Sequence, residues 1–526
     1  MANYFNPFLQ LTLIGLFTQI IYVTYIVAFP LIANTRAGGP AADLEILMRD
    51  YRWFAPIYVL GLFLLYYLFW QALKTVSGVT SQVSGSTYQE QVPGNNLPVS
   101  PNPQLASPFK PNTLKLFILA FGLLFGFTLV WLYPITANDL FRYVVRGRVW
   151  AVYGENPMSV PPDAFPTDPY LPFAGEFADL PSVYGPLWEL AVQLPLRLGA
   201  IEMVTGVVGL KLMLLLCYLI TAYLLGWLAS PEKGSRLLAL TFFAWNPLIL
   251  LQGLGNGHND LLFLTLMVLG IMLWQRNLWW VAVAAFTLAT LAKLPALLLL
   301  LLFGLALMRQ QPSWGQRLRK GLAAAALTLL TVYSVYLFFG PISATLQGAT
   351  VMLADRRGFA IASAVRMALR EVISWEVAEA LPRTTAEYIF FCFYGWFAWQ
   401  LWRQKLTLLT AGFLTYFSLL MLNRTFHIWY PMWLVPLAAL HLTPATFWRT
   451  FLFGLTGELS IVNYFVVWRW GLRDLPWEKL GLSTTLYYWP VMHLLTVPWQ
   501  FGLPLFGPIL IRWRRKRANQ QPPAVI

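Results

Sequence analysis

Charge is what this sequence has least of. Asp, Glu, Lys and Arg make up 11% of its 526 residues, less than half the share a soluble domain carries to face water. Cysteine is nearly absent. Cys217 and Cys392 both fall inside apolar stretches, which argues against a disulfide framework or a thiolate metal site. No Walker sequence, Rossmann glycine pattern or HExxH occurs, which argues against an ATP-driven pump and a zinc protease. The first apolar stretch lacks a basic leader and an A-x-A site, so it is not expected to be a removable signal peptide.

What the chain does have is apolar length. Hydrophobic residues make up 58%, and mean hydropathy is +0.59. Repeated runs long enough to cross a bilayer predict a polytopic membrane protein. In lipid the backbone must satisfy itself, and runs of this length do so as helices, since barrel strands are shorter and alternate. The expected fold is therefore an all-α transmembrane bundle. A net charge of +14 is read as the positive-inside bias and not as nucleic-acid binding. The 24 Trp and 24 Tyr suit interfacial belts and sugar-facing surfaces equally.

Roughly thirteen to fourteen spans are expected. Two N-terminal helices (8–30 and 53–75) occupy 1–75. Residues 76–112, rich in Ser, Gly, Pro, Asn and Gln, read as a flexible, disordered cytoplasmic linker. The core runs over 113–511, opening with a span at 113–135 and a main external loop at 139–200. Further spans are expected at 202–229, 237–254, 259–275, 278–292, 294–308, 321–340, 386–402, 407–423, 428–441, 447–467 and 486–511. A basic cytoplasmic tail, 512–526, closes the chain.

Basic clusters set the orientation. Five cations lie in Arg512–Arg517. Arg309, Arg317, Arg319 and Lys320 form a second cluster, and Arg403 with Lys405 a third; Lys233 and Arg236 outweigh Glu232. With this span count all four fall on one side, which is then cytoplasmic. The loop after the third span falls outside; 136–200 holds seven acids against four arginines. This requires 184–200, with Pro186, Glu189, Pro195 and Arg197, to be an interfacial helix and not a span.

On this orientation the unusual polar residues share the outer face. Asp139, at the mouth of an apolar span, is the costliest of them; it either serves chemistry or caps the helix that follows. His258, Asn259 and Asp260 sit at a junction of spans, where they either stitch two helix ends together or meet substrate. Lys293 snorkels to headgroups or binds phosphate. Arg356 and Arg357 lie in a second external loop (341–385), as a solvated pair or as phosphate ligands. Arg424, His427, Trp429 and Tyr430 mark another outer junction, with Trp429 and Tyr430 as belt aromatics or sugar platforms.

In order along the chain stand Asn138-Asp139-Leu140-Phe141-Arg142-Tyr143, Arg146-Gly147-Arg148-Val149 and Gly154-Glu155-Asn156-Pro157. Then come Asp168-Pro169-Tyr170, Ser182-Val183-Tyr184-Gly185-Pro186-Leu187-Trp188 and Trp245-Asn246-Pro247-Leu248. Gly257-His258-Asn259-Asp260, Lys293-Leu294-Pro295-Ala296-Leu297 and His427-Ile428-Trp429-Tyr430-Pro431-Met432-Trp433-Leu434 follow. This ordered set, from about 113 to 440, resembles GT-C-fold, polyprenyl-phosphate-sugar-dependent glycosyltransferases, most nearly the bacterial α-mannosyltransferases of the MptA/MptB type. The 76–112 linker is longer and more polar than that pattern needs, and Pro431 interrupts the last motif.

The resemblance implies a GT-C core with external surface helices in its first core loop and a catalytic acid at the start of that loop. Asp139 would be the general base of an inverting transfer of mannose from a polyprenyl-phosphate donor to an extracytoplasmic glycan or glycolipid. Lys293, Arg356, Arg357, His258 and His427 are candidates for the donor phosphate. Asp168, Tyr170, Tyr184, Asn259, Asp260, Trp429 and Tyr430 are candidates for sugar or acceptor contacts. No cofactor is expected, and the need for a divalent metal stays open. The expected partners are the lipid-linked donor, the acceptor and membrane lipids, with no nucleic acid; the expected site faces outward from the plasma membrane. A transporter or lipid flippase with a polar outer rim is the alternative, and a non-enzymatic scaffold a third; a transporter predicts midplane polar sites and internal repeats.

Overall fold

The computed structural model describes residues 6–36, 53–89, 111–229, 233–340, 359–370, 372–464, 466–467 and 484–520. Among them the regular structure is helical, apart from one isolated bridge between Pro30 and Leu132. In chain order the helices are α1 (Pro7–Ala28), α2 (Leu31–Arg36), α3 (Phe54–Gln89), α4 (Pro111–Leu129), α5 (Asp139–Ala151) and α6 (Pro186–Arg197). There follow α7 (Met203–Leu228), α8 (Lys233–Ala244), a π-helical turn at Ile249–Gly255, α9 (Asp260–Gln275), α10 (Trp279–Ala292), α11 (Ala296–Arg309) and α12 (Trp314–Tyr336). The rest are α13 (Ile361–Leu369), α14 (Trp375–Trp402), α15 (Leu408–Leu422), α16 (Leu434–Leu440), α17 (Pro444–Val462) and α18 (Thr484–Gln520).

The polytopic helical bundle is as expected, and α7 lies within a residue of its expected span at either end. Among the described residues six helices are long and apolar enough to cross a bilayer, or seven if the bent pair at Arg236–Ala244 and Ile249–Gly255 counts as one. Five further expected spans are present as apolar helical segments of 10–17 residues, at 260–275, 279–292, 296–309, 408–422 and 430–440.

Two expected loops contain helix. α3 runs on to Gln89, well into the stretch read as linker, since no proline interrupts it before Pro93; residues 90–110 lie outside the described residues. α14 begins at Trp375, inside the expected second external loop, and carries Pro382 within it.

The chain divides into two compact units. The first comprises 1–43, 56–294 and 331–348, and the second 44–55, 295–330 and 349–526. In the first, α4 packs against α1, α7, α8 and the π-helical turn, and α9 pairs with α10. Two polar anchors inside this apolar core fix the geometry. Trp245 Nε1 donates to the Ile118 carbonyl at 3.0 Å, and the Asn246 amide oxygen accepts from the Leu248 N–H at 3.1 Å. They brace the 51° bend that follows α8. In the second unit, α17 and α18 pair and α14 packs on α15.

Lys211 lies fully buried in α7, where its side-chain nitrogen donates to the carbonyls of Leu129 (3.2 Å) and Leu132 (2.5 Å). These carbonyls lie at and just beyond the end of α4, the groups that a helix terminus leaves unsatisfied.

Candidate functional site

Asp139 is the first residue of α5, with Asn138 at the N-cap position. An acid in the first turn suits the helix dipole, but its carboxylate also makes contacts far from that turn. The Tyr184 hydroxyl donates to Oδ1 at 3.1 Å, and Arg142 Nη1, one turn along, donates to Oδ1 at 3.2 Å. His258 Nδ1 stands 3.8 Å from Oδ2, outside hydrogen-bond reach. The Asp139 side chain keeps 16% of its surface exposed, while His258 keeps 1%.

Three local devices bring these residues together. Thr136, just before α5, is tied to the π-helical turn. Asn256 Nδ2 donates to Thr136 Oγ1 at 2.7 Å, the Thr136 N–H donates to Asn256 Oδ1 at 3.2 Å, and Gln252 Nε2 donates to Thr136 Oγ1 at 3.1 Å. Such turns interrupt helices frequently at functional sites.

Gly257 then takes φ +70°, and a Cβ there would stand 2.8 Å from Leu140. Only glycine meets both conditions without cost, and the close approach sets His258 beside Asp139. Gly185 provides the third device. A Cβ on it would lie 1.9 Å from the Leu291 carbonyl oxygen, so Tyr184 is held directly against the end of α10, where Lys293 follows.

The wall around the carboxylate is aromatic. The Tyr143 ring meets Tyr184 edge-on at 4.7 Å and Trp188 at 4.8 Å. Burial pushes the Tyr143 phenol well above its ordinary range, and the negative charges of Asp139 and Asp260 act in the same direction, against a hydrogen bond from the Asn259 backbone. Burial likewise raises the Tyr184 phenol, helped by Asp139 and opposed by Arg146 and Arg142. Both rings therefore stay protonated, and Tyr184 acts as a donor to Asp139. Arg142 lies over the Phe177 ring at 4.1 Å and Arg146 over Tyr184 at 5.7 Å.

Lys293 Nζ lies 2.6 Å from Asp260 Oδ2 and donates to Asn259 Oδ1 at 3.3 Å. The Asp260 side chain is fully buried and Lys293 is 17% exposed. The junction expected around His258, Asn259 and Asp260 is thus present, with Lys293 as its cation.

Asp168 has different surroundings. Its carboxylate takes Arg148 Nε at 3.0 Å and Nη2 at 3.0 Å, the Tyr153 hydroxyl at 3.0 Å, and the Tyr170 N–H at 2.8 Å. Arg148 also donates to the Ile201 carbonyl at 2.6 Å and lies over the Tyr170 ring. Asp168 is 7% exposed, so it ties the loop to α5 and offers little surface to an acceptor. The Tyr170 hydroxyl contacts Glu202.

In the second unit, His427 stacks on Trp429 at 4.5 Å, and Tyr430 on Trp433 at 4.4 Å. Pro431 occupies the first turn of a 3-10 helix, Tyr430–Trp433, where a missing N–H costs nothing. His427, Trp429 and Tyr430 are half-buried. Arg356 and Arg357 lie outside the described residues. Among the described residues no three His, Cys, Asp or Glu side chains gather as metal ligands.

Sequence reasoning did not single out Tyr143, Arg142 as a direct Asp139 partner, or Lys211. For Lys211 the signal was available, as a lysine inside an apolar window of spanning length.

Fold and site define a class: a polytopic α-helical membrane protein with a carboxylate-centred polar cluster where helix ends meet. Within it, residues 115–309 match the model of the MptA/B family, described as the N-terminal domain of alpha-(1->6)-mannopyranosyltransferase, which supports an α-mannosyltransferase of MptA/MptB type. Asp139, Tyr143, Tyr184, His258, Asp260 and Lys293 all fall inside the matched stretch. No curated protein and no solved structure matches the chain.

Proposed function

We propose that the protein transfers mannose from a polyprenyl-phosphate donor to an extracytoplasmic glycan or glycolipid, with inversion, and that Asp139 is the general base. One observation carries this reading. A partly exposed carboxylate, oriented by Tyr184 and Arg142, stands at the head of α5 inside the stretch that matches a mannosyltransferase family.

In the step, an acceptor hydroxyl oxygen attacks the anomeric carbon while Asp139 takes its proton. The bond from that carbon to the phosphate oxygen breaks, and polyprenyl phosphate leaves. A phosphate is already a good leaving group, so one positioned base supplies the remaining assistance. The paired carboxylates of glycoside hydrolysis are not required, because no water is activated opposite an acid. Positioning and charge neutralisation then dominate the rate.

Lys293 is the candidate cation for the donor phosphate within this cluster, and His258 stands beside the base. Tyr184 is retained for sugar contacts, while Asn259 and Asp260, buried and bound to Lys293, act through that cation. His427, Trp429 and Tyr430 are retained on their motif alone. The cytoplasmic assignment of the basic clusters supports a site that faces outward.

The test is Asp139→Asn in purified protein, assayed with a panel of polyprenyl-phosphate sugars and analysis of the product glycan. Loss of a general base lowers kcat by about 10²–10⁴-fold. Transfer at the wild-type rate by the variant removes Asp139 from this role, and transfer from a sugar other than mannose corrects the donor.

A further inference from the structure

We propose that Glu189 is a positioning residue for transfer, acting through Ser182 to hold Tyr184 against Asp139. The inference rests on the reading of Asp139 as the base and adds a residue behind it.

Glu189 stands in the first turn of α6. An exposed acid there would serve the helix dipole equally well, yet this one is 1% exposed. Its Oε2 has no hydrogen-bond partner. Burying a carboxyl in this way is costly, and its hydrogen bond is made through Oε1.

That contact is with Ser182, also 1% exposed. The Ser182 hydroxyl donates to Glu189 Oε1 at 2.5 Å and accepts from the Tyr184 N–H at 3.2 Å. A hydroxyl has one proton and two lone pairs. Glu189 claims the proton, which leaves a lone pair facing the Tyr184 N–H. The Ser182 N–H donates to the Pro157 carbonyl at 2.7 Å, so the serine itself is anchored. With Gly185 locked on Leu291, Tyr184 is held on both sides, and its hydroxyl meets Asp139.

Gln193, one turn along α6, donates to the Gly147 carbonyl at 3.1 Å. It ties α6 to α5 independently of Glu189. A purely stitching role is therefore already filled by a neighbour, which favours the positioning role for Glu189.

The test is a kinetic cycle on the full-length protein in nanodiscs, with polyprenyl-phosphate mannose as donor and melting temperature recorded for each variant. Glu189→Ala and Ser182→Ala are expected to lower kcat by about tenfold to a hundredfold with KM nearly unchanged, as for a displaced catalytic group. Glu189→Gln keeps an acceptor for the Ser182 hydroxyl and is expected to retain kcat. In a Tyr184→Phe background Glu189→Ala is expected to add nothing, because coupled residues are non-additive.

A fully additive loss, or wild-type kcat in Glu189→Ala, overturns the proposal. If Glu189→Ala does not fold, Ser182→Ala and Glu189→Gln decide it. Asp139→Asn runs in parallel. If it keeps the wild-type rate, the base assignment falls and this proposal with it. If it is inactive while Glu189→Ala is additive, only the role of Glu189 is lost.

Discussion

The Tyr184 hydroxyl donates to Asp139 Oδ1 at 3.1 Å across a turn that only glycine at 185 permits. The donor comes from the far end of the loop that α5 opens, so the loop closes back on its own first residue. A hydrogen bond to a charged group contributes about 1.5–3 kcal/mol. Tyr184→Phe is therefore expected to lower kcat by about 10- to 100-fold, with donor KM little changed. Steady-state kinetics on the purified variant check this; an unchanged kcat means that Asp139 needs no help from Tyr184.

Glu189 is expected to make stability depend on pH. Burial pushes its carboxyl up to about 7 from an ordinary 4.5, against the Ser182 hydrogen bond and the Arg146 charge. Other basic groups on or beside the helices packed against α6 are engaged elsewhere: Arg142 with Asp139, Arg148 with Asp168, Lys293 with Asp260, and Lys211 with backbone carbonyls. A group whose folded pKa is raised binds its proton more tightly when folded. Its contribution is complete below about pH 4.5 and is lost as pH rises through about 7. The full change is on the order of 3 kcal/mol. Thermal melts across that window are expected to fall for the wild type relative to Glu189→Gln. Parallel curves for the two proteins contradict the assignment.

Asp168 and Arg148 form a buried pair at 3.0 Å, with side chains 5% and 7% exposed. Removing one partner of such a pair leaves the other charge buried, at a cost of roughly 3–5 kcal/mol. Asp168→Ala is expected to lower the melting temperature sharply while the protein that stays folded keeps its acceptor KM. A raised acceptor KM with normal stability restores Asp168 as a substrate contact.

Asp139 was legible in the sequence because a carboxylate at the end of an apolar run is costly, and its placement needs no partner to be noticed. The ends of α7 were legible for a similar reason, since Glu202 and Ala229 bracket a long apolar run in which Lys211 is the one charged side chain. The pairing of Asp168 with Arg148 was not legible. It depends on the fold of the loop that separates them, and Asp168 alone reads as a candidate acceptor contact. The bend after Trp245 was also hidden, because Leu250, Leu251 and Leu254 carry the same apolar signal in a π-helical turn as in a straight span. Tyr143 read as one more aromatic until Tyr184 and Trp188 closed on its ring.

Gly257 faces two demands at once. Its φ of +70° disfavours any side chain, and a Cβ would press on Leu140 at 2.8 Å. Left-handed backbone costs an L-residue about 1–2 kcal/mol. Gly257→Ala is expected to lower kcat by shifting His258 away from Asp139, and adding Leu140→Ala is expected to recover part of the loss by relieving the contact. If the double variant is no better than the single one, backbone strain alone accounts for the effect. Full activity in Gly257→Ala would show that the spacing of His258 and Asp139 does not matter.

Lys293 cannot be judged by a single substitution. Its ammonium lies 2.6 Å from the fully buried Asp260 carboxylate, so Lys293→Ala removes a cation from a buried pair as well as from the site. That alone costs roughly 3–5 kcal/mol, and a loss of activity would not separate folding from binding. Asp260→Asn removes the charge that Lys293 neutralises. In Lys293→Ala/Asp260→Asn, stability is therefore expected to return toward the wild type. If Lys293 also holds the donor phosphate, donor KM stays raised by about tenfold, the loss of one charge-assisted contact. Melting temperature and donor KM measured on the same preparations separate the two roles. A stable double variant with wild-type donor KM would leave Lys293 as the partner of Asp260 and transfer the search for the phosphate ligand to the other cations.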